Sequence, residues 1–242
     1  MIFLQTKKRT VIAAAAIAAA VMAFVAACII AASAAPAVSP NGMTVVIDPG
    51  HGGRDGGVVG SSTGEKESDI NLGIAKSLRH FLREAGYEVV MTRESDVDLA
   101  TDGEGFKKSD MLARKTIIDE AAPDLVVSVH QNFYPMKDVH GAQVFYAASS
   151  SEGMEYAERM QSVLNASLDC DREAKSGDYY ILQCSSSPSL LVECGFLSNP
   201  TDEANLVTAA YQQKVAYAIA TGVRSLLESD EAVAAAITGS LG

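Results

Sequence analysis

Between Met43 and Glu228, short apolar β-branched runs alternate with longer segments whose apolar residues recur every three to four positions. The runs Met43–Asp48, Tyr87–Thr92, Asp124–His130, Gly141–Ala147, Tyr179–Leu182 and Ser189–Glu193 read as strands. The segments Asp69–Ala85, Lys108–Ala121, Met154–Leu168 and Asp202–Glu228 read as amphipathic helices, with Glu94–Gly105 a polar loop. Such alternation selects an α/β fold: a single domain built on a mostly parallel six-stranded sheet with helices on both faces.

In an open sheet of this kind, ligands bind beyond the carboxyl ends of the strands. Two of the four histidines fall there. His51 follows the first strand in Asp48-Pro49-Gly50-His51-Gly52-Gly53, and His130 closes the third in Ser128-Val129-His130-Gln131-Asn132. Glu193 closes the last, in Leu190-Leu191-Val192-Glu193-Cys194-Gly195. The glycines flanking His51 allow a sharp turn and a close backbone approach. Neither GxGxxG nor GxxxxGK[ST] is present, which argues against a phosphate loop. Two imidazoles point to zinc, nickel or iron, and hydrolytic zinc sites typically add a carboxylate and a water. The acids of Gly64-Glu65-Lys66-Glu67-Ser68-Asp69 offer that carboxylate; equally, they suit the positive end of the helix dipole.

The N-terminus carries Lys7-Lys8-Arg9 and then an apolar run from Val11 to Ala32. A basic flank before an apolar stretch reads as an export signal. Residues 1–34 are therefore a signal peptide or membrane anchor. Cleavage after Ala32-Ser33-Ala34, lipidation at Cys28 and retention as an anchor all remain open. Residues 35–42 read as a linker, 43–228 as the folded domain and 229–242 as a C-terminal tail. Each fate places the domain outside the cytoplasm, in the cell envelope, with membrane contact only through residues 11–32. The 242-residue chain has a net charge of −11. So acidic a surface excludes nucleic acid as a partner, since phosphate contacts need basic patches. Four cysteines without a CxxC pair exclude a disulfide scaffold and a zinc finger.

Four ordered motifs resemble the zinc-dependent N-acetylmuramoyl-L-alanine amidases of the amidase-3 type, in particular the stand-alone branch acting on spore cortex. They are Val45–Gly53, Glu67-Ser68-Asp69-Ile70-Asn71-Leu72, Ser128–Asn132 and Leu191–Pro200. The likeness runs from about Thr44 to Leu227. It implies His51, Glu67 and His130 as ligands of one Zn2+ per chain and Glu193 as the catalytic glutamate. Glu67 fits the family's Glu-x-x-x-x-Leu register and Glu65 misses it by two, although Ser68 replaces the usual lysine. The implied reaction is hydrolysis of the bond between N-acetylmuramic acid and L-alanine in peptidoglycan, in cell-wall or spore-cortex remodelling. A zinc peptidase cutting within the stem peptide and a non-catalytic wall-binding protein are the alternatives. A protein activator is compatible with either enzymatic reading.

Other residues have less defined expectations. His80 reads as a surface histidine and His140 as loop or site rim. Asp48 either orients an imidazole or begins the turn before Pro49. Gln131 and Asn132 are candidate substrate donors, and Arg114 a structural ion-pair partner. Cys194 reads as core, and a Cys170–Cys184 disulfide is an option in an exported protein.

Overall fold

In the computed structural model, residues 42–101 and 105–228 are described. The expected leader, most of the linker and the tail lie outside them. Among the described residues, no helix is long and apolar enough to cross a membrane.

Strands β1 (Thr44–Pro49), β2 (Glu88–Met91), β3 (Leu125–Asn132), β4 (Gln143–Tyr146), β5 (Lys175–Ser176) and β6 (Ser189–Phe196) form one sheet in the order β2-β1-β3-β6-β4-β5. The first four in that order run parallel, whereas β4 is antiparallel to β6. Helix α1 (Glu67–Glu84) connects β1 to β2, and α2 (Phe106–Ala121) connects β2 to β3. From β1 the chain moves to one neighbour and then returns to the other. The β1/β3 pair is thus the switch point at which α/β sheets open a crevice. Helices α3 (Ser151–Leu168), α4 (Pro200–Leu206) and α5 (Ala209–Leu227) complete the domain.

Strand parity sorts the side chains into two layers. Val45 and Ile47 of β1, Val127 and Val129 of β3, and Leu190, Val192 and Cys194 of β6 join the large core beneath α1, α3 and α5. Val46, Val126 and Leu191 face the smaller core with Ile118 of α2 and the Ile181-Leu182 turn. The same parity turns Asp48, Ser128, His130 and Glu193 toward the smaller layer. Helix α2 buries only Arg114 and Ile118, so it covers that face thinly. A cavity of about 250 Å³ remains there, lined by His51 and His130 together with Phe106, Met111, Tyr179 and Ile181.

Three expectations need correction. His130 and Glu193 do not close their strands: β3 continues to Asn132 and β6 to Phe196. Tyr179–Leu182 is not a strand: residues Tyr180–Leu182 form a 3₁₀ turn. Ile181 and Leu182 are both buried, which the alternation of a strand with one buried face would not allow. The sixth strand is instead the short exposed β5, paired with Phe145 and Tyr146. Residues Asp202–Glu228 are not one helix either. Thr208 interrupts them in extended conformation (φ −93°, ψ 134°) and caps α5 by accepting from the Tyr211 amide at 3.3 Å. Asn199 caps α4 in the same way, accepting from the Thr201 and Asp202 amides.

Candidate active site

The β1 strand delivers His51 at its carboxyl end in a left-handed conformation, φ 61°. Its Nδ1 lies 3.1 Å from Asp55 Oδ2 and its Nε2 lies 3.2 Å from Glu67 Oε1. Glu67 is the first residue of α1 and is almost completely buried. Its Oε1 accepts from the Gln131 amide at 3.1 Å and from Asn71 Nδ2 at 3.3 Å, and sits 3.0 Å from His130 Nδ1. Its Oε2 accepts from the Val58 amide at 3.0 Å. Asn71 lies one helical turn beyond Glu67 on the same face of α1.

Nitrogen and oxygen donors about 2.0–2.2 Å from a tetrahedral zinc stand roughly 3.3 Å apart. Glu67 Oε1 is separated from the two imidazole nitrogens by 3.0 and 3.2 Å, and the ligand atoms of His51, Glu67 and His130 all lie within 4.8 Å of one another. The set could therefore hold a metal ion, and the surrounding backbone is shaped to it. A Cβ on Gly50 would stand 2.1 Å from the His130 ring, and one on Gly57 would stand 2.4 Å from Glu67 Oε2.

Glu193 of β6 is in register with His130 of β3. Its Oε2 is buried and has no hydrogen-bond partner among the described residues. Burial pushes the Glu193 carboxyl up to about 7; the nearby Glu67 charge adds to this, and His130 and His51 oppose it. Burial would also raise Glu67, but the hydrogen bonds and charges of His130 and His51 prevail and hold it far below the carboxylate range. Burial disfavours the charged His51 ring, yet Glu67 and then Asp55 outweigh it and raise its pKa.

A buried polar framework supports the turn. Asp48 accepts from Arg114 Nη1 and Thr92 Oγ1, each at 2.6 Å, and from Ser128 Oγ at 2.7 Å. Burial opposes its charge, but Arg114 and these hydrogen bonds hold Asp48 down at about 2. Arg114 also donates to the carbonyls of Pro49 and His51, at 3.0 and 2.7 Å.

The structure brings together His51, Glu67, His130 and Glu193. Glu65 is exposed and outside the cluster. Asp48 neither orients an imidazole nor merely opens the turn; it is one of two carboxylate partners of Arg114, with Asp110. Gln131 is 3% exposed with its amide nitrogen donating to Asn71, so it is held in the interior, whereas half-buried Asn132 accepts from the Phe133 amide through Oδ1. His80 and His140 are exposed. Cys170, Cys184 and Cys194 are free thiols, and Cys194 packs in the larger core as expected. Sequence reasoning missed Asp55, Asn71 and Arg93. The four-residue offset of Asn71 from Glu67, one turn of the same helix, was a signal for the second; Asp55 reaches His51 through a loop closed by the Gly52–Asp55 bridge, which no helical period records.

The N-acetylmuramoyl-L-alanine amidase profile matches residues 45–225. A germination-specific N-acetylmuramoyl-L-alanine amidase of Bacillus subtilis is 39% identical over 76% of this chain and 79% of its own length. The amidase AmiA of Escherichia coli is 30% identical, covering 75% of each chain. Among solved structures, the CwlD amidase of Clostridioides difficile, determined in complex with the GerS lipoprotein, superposes with a TM-score of 0.74. It is 34% identical and covers 78% of this chain and 100% of its own. By sequence and by fold, the chain belongs to the N-acetylmuramoyl-L-alanine amidase family of the amidase-3 type.

Proposed function

We propose that this chain hydrolyses the amide between N-acetylmuramic acid and L-alanine in peptidoglycan, with one zinc ion held by His51, Glu67 and His130 and with Glu193 as general acid–base. The observation that carries this reading is the meeting of three donor atoms beside a buried carboxyl that lacks a partner. Zinc in such a set supplies Lewis acidity, lowering the pKa of water toward about 7 and polarising a carbonyl. The chain's own residues do the rest. Glu67, ionised at neutral pH, offsets part of the ion's charge. Asp55 holds the His51 ring through Nδ1 and leaves Nε2 for the ion. Glu193 takes a proton from the attacking water and returns it to the departing alanine amine as the C–N bond breaks. The cavity next to both histidines receives groups flanking that bond.

The germination-specific relative supports a role in spore-cortex remodelling, and the basic–apolar N-terminus supports delivery to the cell envelope. The lipoprotein complex of the Clostridioides difficile relative supports a protein partner for this chain as well. Mass analysis of purified peptidoglycan after digestion tests the reaction. Intact stem peptides beginning with L-alanine are expected. Shortened stems would mean a peptidase, and binding without cleavage a wall-binding protein.

A further inference from the structure

Arg93 lies just beyond β2, 3% exposed, and donates four hydrogen bonds, every one to a backbone carbonyl. Nε reaches Pro49 at 2.9 Å, Nη2 reaches Gly50 at 2.9 Å and Ser68 at 2.8 Å, and Nη1 reaches Ser95 at 3.0 Å. Pro49 and Gly50 immediately precede His51, and Ser68 immediately follows Glu67. One guanidinium therefore joins the two segments that carry His51 and Glu67.

The joint matters because His51 is a non-glycine residue in the left-handed region. That conformation is disfavoured by roughly 1–2 kcal/mol and persists only where the surroundings over-determine it. Arg114 supports the same turn through Pro49 and His51, but its charge is paired with Asp48 and Asp110, and its hydrogen bonds do not reach the Glu67 segment. Gly52 leaves room for the Arg93 side chain: a Cβ there would stand 2.9 Å from Nε.

We infer that Arg93 is a positioning residue for the metal centre, locking the His51 turn to the first turn of α1 so that His51 and Glu67 are pre-set for one ion. This rests on the metal reading of the site. Lysine could not replace it, because an ammonium lacks the planar fork that addresses several carbonyls at once.

The test compares zinc affinity by chelator competition in the unaltered protein, in Arg93→Lys and in Leu82→Ala. Leu82 is a core position in the same helix, about 22 Å along it from Glu67. Arg93→Lys is expected to weaken zinc binding about 10- to 100-fold, as loss of an outer-shell support does, and to alter the visible spectrum of the cobalt-substituted protein. Leu82→Ala is expected to lower the melting temperature without changing either readout. Unchanged affinity and spectrum in Arg93→Lys, or an equal loss in Leu82→Ala, overturns the inference while leaving the metal reading intact. Absence of zinc binding by the unaltered protein overturns the metal reading and the inference with it. If Arg93→Lys does not fold, the Arg93 Nε–H of the unaltered metal-free protein decides by NMR: slow solvent exchange supports a pre-set joint, and fast exchange overturns it.

Discussion

Gly50 and His130 are in such close apposition that a single methyl group would not fit between them: a Cβ on Gly50 would stand 2.1 Å from His130 Cε1 and 2.2 Å from Nε2. Gly50 is not among the residues with positive φ, so alanine is excluded by this contact and not by the backbone. Gly50→Ala is therefore expected to push the imidazole aside while the protein stays folded. A displacement of about 1 Å at a catalytic group lowers rates on the order of 100-fold. Amidase rate on purified peptidoglycan and zinc content, alongside an unchanged far-UV circular dichroism spectrum, check this.

Glu193→Gln separates stability from activity. The amide keeps the shape of the side chain but removes its proton chemistry, and hydrolysis should fall about 100- to 10,000-fold. A folded-state pKa raised from 4.5 to about 7 means the folded protein holds a proton that the unfolded chain releases. The native residue thus becomes destabilising as pH rises from 4.5 through 7, and fully so above that. Relative to native metal-free protein, the glutamine variant should gain on the order of 3 kcal/mol between pH 4 and pH 8. Urea unfolding across that range gives the value; a pH-independent difference would mean that the carboxyl is not perturbed.

The ion pair of Asp48 and Arg114 should dominate the acid stability of the turn. The Asp48 pKa is lowered from 3.8 to about 2, so its contribution is present above pH 3.8 and is lost as pH falls through 2. Asp48→Asn leaves the Arg114 charge without one of its two carboxylates and should destabilise by about 3 kcal/mol at neutral pH. It should also flatten the acid limb of the stability profile. Calorimetric melts at pH 7 and at pH 3 measure both effects.

Asp55→Asn tests the support behind His51. The His51 pKa is raised chiefly by Glu67 and further by Asp55, so the variant should titrate His51 at lower pH in the metal-free protein. Zinc affinity should fall by about tenfold or more. Imidazole proton shifts followed against pH, together with chelator competition, provide the two readouts.

Much of the site was legible because strand parity and chain order act locally. The approach of His51, His130 and Glu193 to the carboxyl edge of the sheet followed from the β-branched runs, although β3 and β6 continue to Asn132 and Phe196 and do not stop at His130 and Glu193. Glu67 needed the family register, since an acid at a helix start serves the dipole equally well. Arg93 and Asp48 were obscure for a different reason: apart from the Ser95 carbonyl, their partners are backbone carbonyls and side chains some 20 to 80 positions distant, which no local period records. The Tyr179–Leu182 turn was misread because its composition suits a strand, whereas burial of the adjacent Ile181 and Leu182 belongs to tertiary packing. The break at Thr208 was hidden by apolar periodicity that continues across it.

The proposal that His51, Glu67 and His130 share one ion is tested most directly by zinc stoichiometry at equilibrium, measured for the unaltered protein and for Glu67→Gln and His130→Ala. One zinc per chain in the first, and severe loss in both variants with the fold intact, is the predicted result. Failure of the unaltered protein to retain zinc, or full retention by both variants, would contradict it.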